Sequence, residues 1–319
     1  MQIGYFLSSE EHDPGELVRQ AQQAQDAGFE GLWISDHYHP WNDEQGHSPF
    51  VWSVIGAIGR LTSLPVTTAV TCPTVRIHPA VIAQAAATSA CMVQGGFRLG
   101  VGSGEALNEH VLGDRWPTAD VRLEMLEEAV GVIRALLTGE RVDHHGTHYT
   151  VEDARIYTLP SDDVPIYVSG FGPKAIEVAA RIGDGFITTK PAADDLEAYR
   201  AAGGKGPGEG GLKVCWAPSE AEGVETAHRL WSTQGLPGEL AQVLPSPRHF
   251  EQGAQIVSEE MTAHSVVCGP DAERHAAAVR EYADAGFDRL YVSQMGPDAD
   301  GFFRFFTDEV RPLLGDVLD

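Results

Sequence analysis

Residues 31–41, GLWISDHYHPW, pass from apolar to polar within one short segment. GLWISD (31–36) is an apolar, strand-like run. DHYHPW, starting at its last residue, sets an acid beside two imidazoles, a phenol and an indole. In parallel α/β folds, functional groups gather at the carboxyl ends of strands. The fold therefore turns on whether the rest of the chain repeats this unit. Seven further runs resemble it: 3–7, 64–71, 97–103, 164–170, 184–189, 212–217 and 288–294. Most are separated by helical patterns. PGELVRQAQQAQDAGFE has Pro14 and Gly15 at its start and Gly28 at its end, and Pro79 opens PAVIAQAAATSACM. The patterns near 120–137, from Pro173 and near 194–201 also read as helices.

Short strands that are apolar on both faces and separated by helices pair in parallel, with both faces covered. Eight of them favour a closed barrel over an open doubly wound sheet. The expected fold is α/β, a (β/α)8 TIM barrel forming a single domain over 1–319, with insertions near 141–158 and 218–260. The first of these alternates like a small hairpin. The glycine-rich stretch 203–211, GGKGPGEGG, reads as a flexible loop between units.

Composition narrows the function. Formal net charge is −24 with pI ≈ 4.8, a surface that repels phosphate backbones and argues against nucleic acid. There is no signal-like start and no apolar segment of membrane-spanning length, so no membrane partner is expected. Four cysteines with no C-x-x-C spacing argue against a metal site or disulfide framework and suit the cytoplasm. HHGTHY (144–149), with no carboxylate partner in view, reads as a solvated turn rather than a metal cluster.

In a barrel, SDHYHPW, TCPT, GSGEALNE and SGFGPK all end strands and share one mouth, the arrangement of an enzyme. His37, beside Asp36, is a candidate acid–base group; Tyr38 and His39 read as structural. Trp41 reads either as packing or as a pocket wall. Glu105 reads either as a functional acid or as a first-turn carboxylate, and Glu109 as the solvated first-turn case. GVGSG lacks the full dinucleotide fingerprint, and its glycines suit a planar ligand lying against backbone. Ser169, Gly170, Phe171 and Gly172 precede the helix from Pro173 and form either a phosphate cradle or an ordinary tight turn.

SDHYHPW, TCPTVRIHPAVIAQAAAT, LGVGSGEALNE, PIYVSGFGPK and GDGFITT, in this order, resemble the luciferase-like flavin superfamily, most of all its coenzyme F420 (deazaflavin)-dependent glucose-6-phosphate dehydrogenase branch. The resemblance runs from residue 3 to about 190, and more thinly to GFFRFF near the C-terminus. It implies a (β/α)8 barrel, usually homodimeric, holding a deazaflavin in its mouth with the phosphate on 169–172. It implies that His37 is the base or stabilises the alcohol's developing charge, that Trp41 walls the substrate, and that Glu105 exchanges a proton at the cofactor ring. Cofactor contacts are implied for Asp36, Cys72, Ser103, Gly104 and Asn108. A cis peptide is implied between Ala69 and Val70, and a carboxylate near the catalytic acid at Glu10.

The implied function is an F420-dependent oxidoreductase moving hydride between cofactor and an alcohol or carbonyl carbon. The alternatives are an FMN-dependent monooxygenase and a non-catalytic cofactor-binding protein. The sugar-phosphate branch holds its substrate with two lysines and an arginine. Here the arginine position is His264, Lys190 is displaced, and 232–260 offers only Arg248 as a firm charge. An uncharged small-molecule substrate is expected.

Overall fold

Parallel strands require a crossover of a dozen or more residues, and helices supply nearly all of those found. The computed structural model describes residues 1–315, 317 and 318; the expected domain span also includes Asp316 and Asp319, which lie outside the described residues. The strands are β1 (Gln2–Leu7), β2 (Leu32–Ile34), β3 (Val66–Thr68), β4 (Phe97–Val101), β5 (Val142–His145), β6 (Thr150–Ala154), β7 (Ile166–Ser169), β8 (Gly185–Thr188), β9 (Gly208–Cys215), β10 (Val267–Cys268) and β11 (Arg289–Gln294). The helices are α1 (Pro14–Asp26), α2 (Val51–Leu61), α3 (Pro79–Met92), α4 (Ala106–Glu109), α5 (Ala119–Leu137), α6 (Pro173–Ile182), α7 (Ala193–Ala201), α8 (Glu220–Trp231), α9 (Leu240–Val243), α10 (Pro247–Ala254), α11 (Glu259–Ser265), α12 (Ala272–Asp284) and α13 (Ala299–Phe305).

Strands β1, β2, β3, β4, β7, β8, β9 and β11 pair in parallel, and the β8–β9 and β11–β1 pairings close the ring. The (β/α)8 barrel is as expected, and β5 with β6 forms the expected antiparallel hairpin. Two details differ from the sequence reading. The glycine-rich stretch is not all loop: its last four residues, Gly208–Gly211, are the first half of β9. Those glycines are required by neighbours. A Cβ on Gly210 would lie 2.5 Å from the Tyr282 ring, and one on Gly211 would lie 2.7 Å from the Trp33 ring. The second difference is β10, which lies in the strand-like SVVCG (265–269) but outside the eight runs read as barrel strands. It pairs with Val214 and Cys215, beyond the last residues of β9 that β8 reaches, and so sets the free cysteines Cys215 and Cys268 side by side. The stretch 218–260 is mostly helical, holding α8, α9 and α10.

Helix α1 shows how the local code works. Asp13 caps it by accepting from Gly15 N and Glu16 N, Pro14 occupies its first turn, and Gly28 (φ 78°) ends it in a conformation that favours glycine. The outer core packs buried residues such as Leu17, Ile55, Ile58, Ile82, Leu126 and Ile133 of the helices against the strands.

The barrel lumen is layered. Its middle is apolar, with Phe6, Trp33, Tyr167, Ile187 and Tyr291 packed together and Ala69 and Val70 against them. The lower end is ionic, which strands read as apolar on both faces do not suggest. Glu209 is fully buried; it accepts from Trp33 Nε1 at 2.8 Å and pairs with Arg289 Nη1 at 3.0 Å and Arg98 Nε at 3.4 Å. The arginines also donate to hydroxyls, Arg98 to Thr67 and Tyr291 and Arg289 to Tyr167. Charges this deep persist because partners take up their hydrogen-bonding capacity. Trp33 stacks on Tyr291 at 4.5 Å; its truncation to alanine is expected to cost ~3–5 kcal/mol.

Candidate active site

Alternation along the strands carries polar side chains to the upper rim. Phe6 on β1 is followed by Ser8 and Glu10, Trp33 on β2 by Ser35 and His37, and Glu209 and Gly211 on β9 by Lys213. Ser8, Ser35 and Glu10 are buried, and His37 is partly open.

The rim centres on His37. Its Nε2 lies 3.4 Å from Glu10 Oε1 and 3.9 Å from Glu105 Oε2. On the other side of the ring, Nδ1 lies 3.3 Å from His39 O and 3.1 Å from Asn108 Nδ2, which also donates to Glu105 Oε2 at 3.1 Å. Asn108 Oδ1 accepts from Tyr38 N and His39 N, which fixes the amide's orientation. Asn108 thus ties the imidazole to the second acid, where the family resemblance has it bonding a cofactor. Glu10 Oε2 accepts from Ser35 Oγ at 2.6 Å and Ser8 Oγ at 3.1 Å. Burial works to raise the Glu10 carboxyl, but the charges of His37 and Lys213 and the Ser35 hydrogen bond outweigh it and hold it below the usual carboxylate value. Trp41 lies 5.1 Å from the His37 ring and meets Phe250 edge-on at 5.1 Å. Leu107, Leu236 and Phe250 cluster with Trp41, Leu240 and Leu244 into an apolar wall beside the imidazole.

A second knot lies under the β2–β4 ends. Asp36 accepts from Arg76 Nη2 and from Thr71 Oγ1, both at 2.8 Å. Glu109 accepts from Arg76 N at 2.6 Å and pairs with its Nε at 3.4 Å. Glu109 reads from sequence as a solvated first-turn acid, but it is fully buried, and burial pushes its carboxyl up despite Arg76. Its partner comes from a loop 33 positions earlier, a pairing that no local pattern signals. The Ala69–Val70 peptide is cis. Cys72 is buried, with Sγ 2.9 Å from Thr74 Oγ1, and burial raises its thiol well above the ordinary value. Ser103, Gly104 and Glu105 line the adjoining β4 loop and remain partly open. The loop 169–172 leaves β7 and enters α6, with Ser169 and Gly172 partly exposed, Phe171 exposed and Gly170 buried.

Sequence reading missed a third group. Glu11 accepts from Trp231 Nε1 at 2.6 Å and Gly296 N at 2.7 Å, and burial raises its carboxyl to about 7. The Lys213 ammonium sits 3.2 Å from the centre of the same Trp231 ring, and burial lowers it to about 8. The signal was available in EGGLKVC, where Glu209 and Lys213 fall on one face of a strand. HHGTHY does have a carboxylate partner: Glu128 of α5 pairs with His144 at 3.0 Å and accepts from the backbone of Thr147, His148 and Tyr149. Lys190, Arg248 and His264 are exposed, and His264 Nδ1 contacts its own helix at Glu260 O.

A family model described as luciferase-like monooxygenase matches residues 1–289. This chain belongs to the luciferase-like monooxygenase family. Among similar members, a protein of Microbacterium testaceum named F420-dependent glucose-6-phosphate dehydrogenase is 36% identical over 98% of this chain and 97% of its own length. One of the same name from Mycobacterium avium is 34% identical over 98% of each. Among solved structures, an F420-dependent secondary alcohol dehydrogenase in complex with an F420–acetone adduct superposes with a TM-score of 0.91 at 29% identity, covering 97% of this chain and 98% of that one. A coenzyme F420-dependent tetrahydromethanopterin reductase from Methanopyrus kandleri shares the family's fold, with a TM-score of 0.78 at 19% identity.

Proposed function

We propose that this chain is a coenzyme F420-dependent oxidoreductase moving hydride between the deazaflavin and the alcohol or carbonyl carbon of an uncharged substrate. The observation that carries this reading is one imidazole held within 4 Å of two carboxylates, beneath an indole and beside an apolar wall. Relatives named for F420 over nearly the full length of the chain support the cofactor.

The rim also fits a flat cofactor with an anionic tail. A side chain at Gly104 would collide with Cys72 Sγ, and one at Gly102 would meet Val70 Cγ2 at 2.8 Å, so glycine there lets the β4 end pack directly against the Ala69–Cys72 shelf. Gly172, itself the cap of α6, has no side chain to satisfy the first helical amides and opens into free space; the N–H groups around Phe171 and Gly172 suit a phosphate. Gly102, Gly104 and the 169–172 loop would hold the cofactor, with Asp36 and Cys72 bracing the shelf.

Bound deazaflavin supplies the carbon that takes or gives the hydride. Removing hydride from an alcohol requires its hydroxyl proton to leave, and His37, with its Nδ1–H on the His39 carbonyl and its bare Nε2 beside anionic Glu10, takes that proton at Nε2. Glu105 is the open acid of the pair and holds the proton exchanged at the cofactor ring. Asn108 keeps the two in fixed relation. Trp41 and the Leu107–Leu236–Phe250 wall orient the substrate and exclude water.

The wall argues against a sugar phosphate: a phosphate dianion needs several charge-assisted contacts to offset desolvation, and Lys190, Arg248 and His264 are exposed surface groups. The similar secondary alcohol dehydrogenase, with its F420–acetone adduct, supports a small neutral alcohol or ketone. We further propose a homodimer, using the apolar groove of Pro14, Val18, Phe50 and Val54 between α1 and α2, and a cytoplasmic location; no helix among the described residues is long and apolar enough to cross a membrane. The whole chain is proposed to act as one domain, with 141–158 and 218–260 as its insertions.

The test is an equilibrium titration of the cofactor-free protein with F420, FMN and NADPH, followed by F420 reduction with glucose 6-phosphate and with a panel of neutral secondary alcohols. Micromolar or tighter F420 binding and turnover of neutral alcohols are expected. Preferential FMN binding would overturn the cofactor, and saturation by sub-millimolar glucose 6-phosphate would overturn the substrate class.

A further inference from the structure

Lys213 is the third member of an inward-facing column on β9. Glu209, below, is tied to Trp33, and Gly211 gives space to the Trp33 ring. Two residues on, the same face brings Lys213 to the rim, with its ammonium 3.2 Å from the centre of the Trp231 ring. That ring is itself fixed, because its Nε1 donates to Glu11 at 2.6 Å while Gly296 N holds the other Glu11 oxygen. The ammonium is therefore seated on a clamped indole, in the field of Glu10, Glu11 and Glu105.

Glu10 is a nearly fully buried carboxylate, and burial alone would drive it neutral. The groups facing it are His37, the Ser8 and Ser35 hydroxyls and Lys213, with Glu11 and His12 adjacent. Hydroxyls offer only neutral hydrogen bonds, Glu11 is of like sign, and burial lowers His12 away from its charged form. His37 must be uncharged at the moment it accepts a proton. At that point Lys213 is the one cation among these groups.

We infer that Lys213 is a positioning residue for proton transfer: its charge keeps Glu10 ionised behind a neutral His37, so that the imidazole and not Glu10 holds the substrate's proton. This rests on the acid–base assignment of His37 and extends it to a residue that acts through Glu10. The depression of Lys213 to about 8 leaves it charged at neutral pH, and the lowered Glu10 carboxyl has the direction this role requires.

The experiment compares full-length wild type, Lys213→Met and Lys213→Arg. Carbon-13 NMR follows the Glu10 carboxyl through its titration in cofactor-free protein, and the pH dependence of kcat/KM is recorded with the best substrate. In Lys213→Met the Glu10 midpoint should rise by on the order of one pH unit, a tenfold gain in proton affinity. The acid limb of kcat/KM should move the same way, while the F420 dissociation constant stays within about twofold. Lys213→Arg should restore both. An unchanged Glu10 midpoint in a Lys213→Met protein with wild-type circular dichroism overturns the inference, as does a more than tenfold loss of F420 affinity. If Lys213→Met does not fold, Lys213→Gln takes its place under the same criteria. Should no alcohol or carbonyl turn over, the assigned activity falls, and the carboxyl titration still decides the role of Lys213.

Discussion

The two ends of the barrel lumen each bury a carboxylate among cations. At the floor, Glu209 meets Arg98 and Arg289, whose guanidiniums stay charged at any pH the protein meets. At the rim, Glu10 lies 3.4 Å from the His37 imidazole and in the field of Lys213, an ammonium depressed to about 8. Partner choice separates holding from reacting: the floor is a fixed strut that ties β4, β9 and β11, while the rim can take up and release protons. The same strand, β9, serves both, with Glu209 below and Lys213 above.

The largest effects should fall on turnover at the rim. His37→Ala and Glu105→Gln are each expected to lower kcat by ~10²–10⁴-fold, with urea stability within ~1 kcal/mol of wild type and F420 binding little changed. Wild-type turnover in His37→Ala would erase the distinction between the two ends. The floor should respond in the opposite sense. Glu209→Gln leaves two half-buried guanidiniums undercompensated and should cost ~3 kcal/mol in urea unfolding, with an unchanged F420 dissociation constant.

A third contrast lies in stability against pH. The folded-state Glu11 carboxyl is raised to about 7 from 4.5, so its contribution is fully present below pH 4.5 and is lost as pH rises through 7. The shift corresponds to at most about 3 kcal/mol, reduced by water at its partly open edge. Glu11→Gln should flatten wild-type stability across this window, whereas Glu209→Gln should leave the slope as it was. The smallest effect is expected for Trp41→Phe, which should raise KM several-fold with kcat lowered less, because the indole shapes the pocket and Phe250 still backs it.

What could be read from sequence divides along similar lines. Helices α1 and α3, the hairpin and the rim clusters follow local periodicity and turn chemistry, and the structure has them where those signals lie. The glycine half of β9 was hidden because GGKGPGEGG has the composition of coil, and only the rings of Trp33 and Tyr282 explain why side chains are absent. Glu109 sits in the first turn of a helix, as a solvated acid would, and only Arg76, folded back from another loop, shows it to be buried. Lys213 lies in the run 212–217, read as a strand, but its role did not show there. Its partners, Glu11 and Trp231, lie on distant elements, and a single sequence does not register such pairings.

The most direct measurement is single-turnover mixing of the F420-loaded protein with a neutral secondary alcohol, following the absorbance of the oxidised deazaflavin in wild type and His37→Ala. Saturable bleaching in wild type, at least a hundredfold slower in His37→Ala, is the expected result. Absence of bleaching with every neutral alcohol tried, or equal rates in the two proteins, would contradict the assignment of the rim as a proton- and hydride-transfer site.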